Sequence, residues 1–268
     1  MRLIFFYVAI WIASSVPALA NELDPYGCKN NPVRVGMTNA GIMYHNGQGA
    51  DQDLFALLSD ITHCTFITVP IARNDAFDMV ERGEIDLFTS AHREPHRESF
   101  AWFIPYFEIN FLLLVNADRL PNVADMEEFK LAGDATIART TGGGYSSYFN
   151  YQLSELESLG RVQFYDDYAE TVTALLNGQV DATLSVPQIY RLFFSKGEAP
   201  IPIRILDVSP APPTTVSLML GKQRFSASHA ANWLRIIEEL HLNGQLESLL
   251  ARYVSTNEAA AMVGVSSR

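Results

Sequence analysis

Residues 80–106 read VERGEIDLFTSAHREPHRESFAWFIPY, and this stretch decides the fold. A helix end closes at Gly83, and the apolar run at 85–89 predicts a buried strand. Ser90 then opens a polar loop rich in His, Arg and Glu, before an aromatic segment that we expect to end at Pro105. Ligands of open α/β sheets bind beyond the carboxyl ends of strands, so the pattern is typical of a ligand site. An ordinary surface loop with solvated charges is the alternative.

A second copy of this unit favours the ligand site. Residues 174–186, ALLNGQVDATLSV, align with residues 79–91, MVERGEIDLFTSA. The alignment superimposes a glycine, an aspartate and a serine, which are the pairs Gly83/Gly178, Asp86/Asp181 and Ser90/Ser185. Two such units predict two similar α/β lobes that face each other across a cleft, each with a serine at a strand end. Chance similarity is the alternative, because a helix, a glycine and a strand often follow one another.

The start of the chain has the pattern of an export signal. Arg2 is positive, residues 3–12 are apolar, and Ala18-Leu19-Ala20 is a small-x-small cleavage site. A membrane anchor is the alternative, but a spanning helix needs about 20 apolar residues and Pro17 interrupts this one. We therefore expect residues 1–20 to be a signal peptide and the mature protein to be exported, into the periplasm in a Gram-negative cell.

Charge and cysteine content narrow the class of protein. The formal net charge is −11, which makes nucleic acid and anionic membrane surfaces poor partners. The chain has two cysteines, Cys28 and Cys64. In an oxidising compartment such a pair predicts one disulfide. A two-cysteine metal site is less favoured, and the spacing excludes a CxxC redox pair.

The order of predicted elements gives an α/β fold with two lobes. Alternating strands and helices with short loops predict mostly parallel sheets covered by helices, and Asp51 is the expected cap of the first helix. We assign residues 21–110 and 214–254 to lobe one and residues 111–213 to lobe two. The chain then crosses twice between the lobes, which makes a hinge of two crossing strands. Residues 255–268 are expected to be a loose tail.

A glycine-rich segment begins the second lobe. Arg139, Thr140 and Thr141 are followed by Gly142-Gly143-Gly144 before a predicted helix. Backbone N–H groups exposed there attract an anion such as a carboxylate. The P-loop pattern GxxxxGK[ST] is absent, and a flexible turn is the alternative.

Several segments together resemble the family 3 bacterial extracellular solute-binding proteins, the polar amino-acid-binding class of periplasmic binding proteins. The similar segments are VRVGM (33–37), GADQDL (49–54), RGEIDLFTSAHREPHRE (82–98), FAWFIPY (100–106), NGQVDATLSV (177–186) and ELHLNGQLESLLARYV (239–254). The resemblance implies the two-lobed, type II periplasmic-binding-protein fold. The resemblance is less informative about the class of ligand than about the fold.

The resemblance also implies roles for individual residues. It gives Arg97 the role of binding the ligand carboxylate, which suits a planar guanidinium; a surface ion pair with Glu94 or Glu98 is the alternative. Other positions fall where the family contacts its ligand. These are Ser90 and His92 in the lobe-one loop, Asn39 and Arg73 near the side walls, and Thr140, Thr141 and Gly143 at the lobe-two helix start. Ser185 is added as the second serine of the repeat.

The chain departs from the family at one position. The family places an aspartate after the lobe-two strand to bind the ligand ammonium, whereas this strand ends in Ser185-Val186-Pro187. Asp181 lies at the strand start and is expected to be structural. An α-amino acid is therefore in question as the ligand, and Arg73, Arg97, Arg139 and His92 suit a more anionic organic acid.

These observations favour a monomeric binding protein that delivers a small polar solute to an ABC importer, without cofactor or metal. His92 and His96 are four apart, but Pro95 separates them and no third ligand is evident. An enzyme similar to the cyclohexadienyl dehydratases, with Glu94, Glu98 or His92 as acid, is one alternative. A ligand sensor for a membrane receptor is another.

Overall fold

A computed structural model describes residues 24–141, 144–194, 199 and 201–264. The expected signal peptide therefore lies outside the described residues. The described chain forms two five-stranded sheets. The first, in the order β2-β1-β3-β10-β4, defines lobe one and contains β1 (Val33–Met37), β2 (Phe66–Pro70), β3 (Leu87–Ala91), β4 (Ala101–Ile109) and β10 (Thr214–Gly221).

The second sheet, in the order β7-β6-β8-β5-β9, defines lobe two and repeats the topology of the first. Its strands are β5 (Leu112–Asn116), β6 (Ile137–Thr140), β7 (Val162–Tyr165), β8 (Ala182–Ser185) and β9 (Ile203–Leu206). Three strands of each sheet pair in parallel, and the other two pair antiparallel. The two-lobed α/β fold is confirmed, but the sheets are mixed rather than mostly parallel. The reason is that β5 and β10 enter their sheets from the other lobe without a helical crossover.

Helices flank both sheets. They are α1 (Ala50–Thr62), α2 (Arg73–Glu81), α3 (Met126–Leu131), α4 (Ser147–Ser158), α5 (Tyr168–Leu176), α6 (Pro187–Tyr190), α7 (Ala227–Leu242), α8 (Gln245–Leu250), α9 (Thr256–Met262) and a short 3₁₀ helix at Pro95–Ser99. The expected cap of α1 is wrong, because Gly49 is the N-cap and Asp51 is fully buried in the first turn. Within the described ranges, none of the helices has the length and apolar character needed to cross a membrane.

The repeat seen in the sequence holds at the level of single hydrogen bonds. In lobe one, Asp86 Oδ2 accepts from the Arg34 backbone N–H at 2.8 Å and pairs with the Arg34 guanidinium. In lobe two, Asp181 Oδ2 accepts from the Thr136 backbone N–H at 2.8 Å and pairs with Arg119. Each buried aspartate thus ties the start of a central strand to its parallel neighbour. Asp181 is therefore structural, as expected.

Two short segments join the lobes. The chain leaves β4 for β5 at residues 110–111 and returns from β9 to β10 through residues 207–213. The crossings touch, because Asn110 Nδ2 donates to Asp207 Oδ1 at 2.8 Å. Adjacent crossings of this kind form a hinge about which two rigid lobes can close.

Strand β4 continues past Pro105, where the sequence predicts an end. The register against β10 shifts there, with Ser217 opposite Pro105 and Val216 opposite Phe107. A bulge tolerates proline because the missing N–H costs no ladder hydrogen bond at that point. The extra length carries β4 to Ile109 at the hinge.

The expected loose tail at residues 255–268 is also wrong over its described part, because Thr256–Met262 form α9. Glu258 accepts from the Tyr190 hydroxyl at 2.5 Å and from Arg191 Nε at 3.0 Å, both in lobe two. It also closes the capping box of α9. The helix is therefore anchored by a buried ion pair that also joins it to α6.

The predicted disulfide is confirmed. Cys28 and Cys64 are bonded, with 5.5 Å between their Cα atoms. The bond ties the segment before β1 to the loop before β2.

Candidate functional site

The site begins at the carboxyl end of β3, where Ser90 has φ +55°. Its backbone N–H donates to the Tyr106 hydroxyl oxygen at 3.1 Å. Its carbonyl oxygen accepts from Arg73 Nη2, also at 3.1 Å. A residue at the end of a buried strand therefore connects the interior of lobe one to a guanidinium at its edge.

Arg73 opens α2 and faces the other lobe. Arg73 is exposed to solvent, yet the protein around its guanidinium desolvates that group and lowers its pKa from the ordinary value. Tyr168 of lobe two and Arg97 also act on that pKa, Tyr168 raising it and Arg97 lowering it. Because Tyr168 belongs to lobe two, its effect on the pKa indicates that Arg73 lies on the side of lobe one nearest to lobe two.

Arg97 lies within the same group of side chains. Its guanidinium stacks over the Phe77 ring, 3.5 Å from the centroid. Nη1 donates to the His92 carbonyl oxygen at 3.0 Å and lies 3.1 Å from Glu94 Oε1. The ion pair expected as the alternative role is thus present. Nε, however, is buried without a hydrogen-bond partner among the described residues, so a donor remains for a ligand.

His92 is the third nitrogen-bearing side chain of the group. Desolvation lowers its pKa from the ordinary value, Arg73 and Arg97 lower it further, and a hydrogen bond to the Thr215 backbone raises it. The net shift is downward, so the imidazole is neutral at pH 7. Its Nδ1 is buried and has no hydrogen-bond partner in the described structure.

Lobe two contributes hydroxyl groups from the ends of β6 and β8. Thr140 is buried and its N–H donates to the Tyr145 hydroxyl oxygen at 3.1 Å, whereas Oγ1 has no partner among the described residues. Ser185 is fully buried, and its Oγ also has no hydrogen-bond partner among the described residues. Thr141 is exposed at the strand end, and Gly143 lies outside the described residues.

Two predicted positions are engaged elsewhere. Arg139 donates to Asn150 Oδ1 at 3.1 Å and to Glu157 Oε2 at 3.3 Å, both on α4. Side chains alternate along a strand, so Arg139 lies against α4 while its neighbour Thr140 lies on the other face. Asn39 is exposed, with Oδ1 2.8 Å from His45 Nδ1. The structure therefore groups Arg73, Arg97 and His92 without Arg139.

Several buried polar atoms without a hydrogen-bond partner in the described structure belong to residues of the predicted site, and others lie elsewhere, as at Gln152 and His241. Buried polar groups in proteins nearly always have a partner. Four of the few that lack one in the described structure belong to residues singled out by sequence: His92 Nδ1, Arg97 Nε, Thr140 Oγ1 and Ser185 Oγ. The set offers donors and hydroxyl groups from both lobes, which suits a small polar ligand bound between them.

Sequence reasoning missed two residues, Tyr168 and Gln188. Tyr168 begins α5 and is held by a hydrogen bond to the Gly144 backbone. The Asp167 cap before it is a recognisable helix start and was the available signal. Gln188 brings the lobes into contact, because its carbonyl oxygen accepts from the Ile42 N–H at 2.7 Å. No local sequence pattern predicts that contact, since it joins segments far apart in the chain.

Across the described ranges, no group of three or more His, Cys, Asp or Glu side chains could hold a metal ion. His96 lies instead beside Glu94, with Nδ1 3.5 Å from Oε2.

Comparison with solved structures places the fold. The ancestral cationic amino acid solute-binding protein AncCDT-1 is 17% identical over 88% of this chain and 99% of its own, with a TM-score of 0.66. The GluR0 ligand-binding core in complex with L-glutamate is 14% identical over 83% and 97%, with a TM-score of 0.65. The substrate-binding protein of an amino acid ABC transporter is 13% identical over 83% and 99%, with a TM-score of 0.56. No protein-family model matches the chain.

These likenesses, at such low identity, establish the fold. The chain has the two-lobed fold of these binding proteins and binding domains, with two five-stranded sheets. The similar proteins are described as a solute-binding protein, a ligand-binding core and a substrate-binding protein.

Proposed function

We propose that this protein is exported and closes its cleft over a small polar solute carrying a carboxylate, which it delivers to an ABC importer. One observation carries the proposal. Arg73, His92 and Arg97 converge at the end of β3, and two of them hold buried nitrogen atoms without a partner in the described structure. A carboxylate is the small group that best satisfies the Arg97 Nε donor, because guanidinium groups bind carboxylates through parallel hydrogen bonds.

The charges favour an anionic solute. Two guanidinium groups and a neutral imidazole face the cleft from lobe one, whereas β8 ends in Ser185. The carboxylate of that strand, Asp181, sits at its start and is occupied by Thr136 and Arg119. An organic acid or an acidic amino acid therefore fits better than a cationic amino acid, although the similar proteins include binders of both kinds by description.

The likeness of fold to the substrate-binding protein of an amino acid ABC transporter supports delivery to an importer. The likeness to the GluR0 ligand-binding core supports a second candidate, in which the closed form reports the solute to a membrane receptor. Uptake of the identified solute by cells lacking the gene separates the two. Loss of uptake supports delivery, and unchanged uptake with a lost response supports sensing.

A thermal-shift screen of the mature chain tests the binding function. The probes are L-arginine, L-lysine, L-glutamate, succinate and citrate, each at millimolar concentration. A bound solute raises Tm by mass action, and we expect the largest rise with an anionic probe. Arg97→Ala and Arg73→Ala should each abolish the rise.

The matched control is Arg235→Ala, because Arg235 is an exposed residue of α7 that pairs only with Glu239 in the described structure. It should retain the full rise. A rise that survives both cleft substitutions would contradict the site, and no rise with any carboxylate would contradict the proposed function.

A further inference from the structure

Ser90 is held in an unusual backbone conformation. Its φ of +55° is left-handed, and it is buried at the end of a strand rather than in an open turn. A non-glycine residue pays on the order of 1 kcal/mol for this conformation, so neighbouring contacts must fix it. Two contacts do so: the N–H donates to Tyr106 and the carbonyl oxygen accepts from Arg73.

The Tyr106 hydroxyl is itself hydrogen-bonded to the Asp51 carboxylate. The hydroxyl donates to Asp51 Oδ1 at 3.0 Å, and both residues are fully buried. An ionised carboxylate only accepts hydrogen bonds, so the tyrosine proton points to Asp51. The lone pairs of the same oxygen are then available to accept from the Ser90 N–H. The direction of the second hydrogen bond is thus set by the first.

Nothing in the structural role of α1 requires this carboxylate. Asp51 does not cap α1, and its Oδ2 has no hydrogen-bond partner recorded in the described structure. Its surroundings are apolar side chains of α1, β4 and α8 and the loop before α1, namely Met43, Leu54, Phe107, Leu246, Leu249 and Leu250. Burying an acid there is costly, so a gain elsewhere is expected to offset it.

We propose that Asp51 and Tyr106 are positioning residues of the cleft: the carboxylate orients the tyrosine hydroxyl, which holds Ser90 so that its carbonyl oxygen is presented to Arg73. The inference rests on the proposed function only in taking Ser90 and Arg73 to face the solute. Direct hydrogen bonds thus connect Asp51 in the interior of lobe one to Arg73 at its edge.

The pair also makes the cleft sensitive to protonation. Desolvation raises the pKa of Asp51 to about 7, against opposing hydrogen bonds from Thr89 and Tyr106. Of the described titratable groups near the pair, Tyr106 contacts Asp51 directly, and His241 of α7 hydrogen-bonds to the Tyr106 backbone with a pKa that desolvation lowers. When Asp51 gains a proton, the tyrosine hydroxyl is no longer required to donate to it. The hydrogen bond to the Ser90 N–H should then lengthen.

The Ser90 amide reports this directly in the solute-free mature protein. In two-dimensional ¹⁵N–¹H NMR, its chemical shift should titrate with a midpoint near pH 7 in the wild type. Asp51→Asn and Tyr106→Phe should each abolish that titration. Tyr106→Phe should also lower the hydrogen-exchange protection of the Ser90 amide by 10-fold or more, because the acceptor is gone.

A matched control exists on the same helix. Tyr253 donates to Asp53 Oδ2 at 2.5 Å, a tyrosine–aspartate pair on α1 that has no contact with Ser90. Tyr253→Phe should leave both the titration and the protection of the Ser90 amide unchanged. Equal effects of Tyr253→Phe and Tyr106→Phe would show general loosening and would overturn the proposal.

Solute binding supplies the second readout. With whichever carboxylate probe stabilises the wild type, Asp51→Asn and Tyr106→Phe should weaken binding by about 10-fold or more, and Tyr253→Phe should not. A Ser90 amide that ignores pH and both substitutions overturns the positioning role even if a solute binds. A screen without any hit overturns the proposed function and leaves the NMR result to decide the positioning role.

Discussion

At the scale of single residues, the same side-chain type serves opposite purposes according to its surroundings. Asp86 is buried between Arg34 and Arg224, whose guanidinium groups and hydrogen bonds outweigh desolvation and lower its pKa. Asp51 is buried among apolar groups, and desolvation raises its pKa to about 7. The first carboxylate stabilises lobe one, whereas the second costs stability at neutral pH.

The raised pKa of Asp51 makes a prediction about stability. The folded state binds a proton more tightly than the unfolded state, where the ordinary value is 3.8. Stability is therefore highest below about pH 4 as far as this group is concerned, and it falls as pH rises to about 7. At about 1.4 kcal/mol per pKa unit the loss is on the order of 4 kcal/mol, as an upper bound.

Urea unfolding measured from pH 4 to pH 8 checks this expectation. The free energy of unfolding of Asp51→Asn, minus that of the wild type, should rise between pH 4 and pH 7 and then level off. Carboxylates with lowered pKa, such as Asp86 and Glu258, act below that window. A difference that stays flat across the window would contradict burial of an ionisable Asp51.

At the scale of elements, the repeat was predictable because its signals are local. Gly83 and Gly178 both close helices at φ +69°, and Asp86 and Asp181 make equivalent hydrogen bonds at strand starts. The bulge at Pro105 was not predictable, since its cause is the register against β10. Long-range pairing of this kind leaves no trace in a short stretch of sequence.

Helix α9 was not predicted, although Ser255 and Glu258 form a capping box, which is a local signal of a helix start. The helix gives a second prediction. Its Glu258 side chain is about one-seventh exposed and binds Tyr190 and Arg191 of the other lobe. Glu258→Gln should lower the free energy of unfolding by about 2–3 kcal/mol, because a largely buried arginine loses its charge partner. Glu239→Gln, in the exposed pair with Arg235, should change it by less than about 1 kcal/mol. Similar losses in both variants would contradict a tied C-terminal helix.

The disulfide gives a third prediction at this scale. Cys28 and Cys64 are 36 positions apart, so the bond removes about 4 kcal/mol of loop-closure entropy from the unfolded chain. The double substitution to alanine should shift the urea midpoint downward accordingly. An unchanged midpoint would mean that the disulfide contributes little to the folded state.

At the scale of the whole molecule, the lobes meet where Gly41 approaches Gln188. A Cβ atom at Gly41 would lie 1.8 Å from the Gln188 carbonyl oxygen. Gly41→Ala should therefore keep the lobes apart and weaken solute binding by 10-fold or more.

Gly47→Ala is the matched control for that substitution. Gly47 lies in the same loop with φ +79°, and a Cβ atom there would meet nothing within 4 Å. Both variants pay a similar backbone cost, but only the first is placed between the lobes. Calorimetric titration should show near wild-type affinity for Gly47→Ala. If both variants weakened solute binding equally, the cause would be the loop backbone rather than closure of the lobes.

How much of the site was foreseeable also depends on scale. Ser90, His92 and Arg97 follow a recognisable strand end, and the structure groups them with Arg73. Arg139 was expected in the same group, but its guanidinium donates to Asn150 and Glu157 of α4. A strand residue faces one side or the other, and sequence alone did not fix which face meets α4. Asp51 was read as a cap, since only the folded chain shows Tyr106 beside it.

The most direct test of a carboxylate-binding cleft is isothermal titration calorimetry of the mature protein with the probe that stabilises it most. Arg97→Ala, Arg73→Ala and the Arg235→Ala control are titrated alongside. A carboxylate-binding cleft predicts saturable one-to-one binding that weakens by at least 10-fold in each cleft variant and is unchanged in the control. Tight binding that is indifferent to both cleft arginines would contradict it.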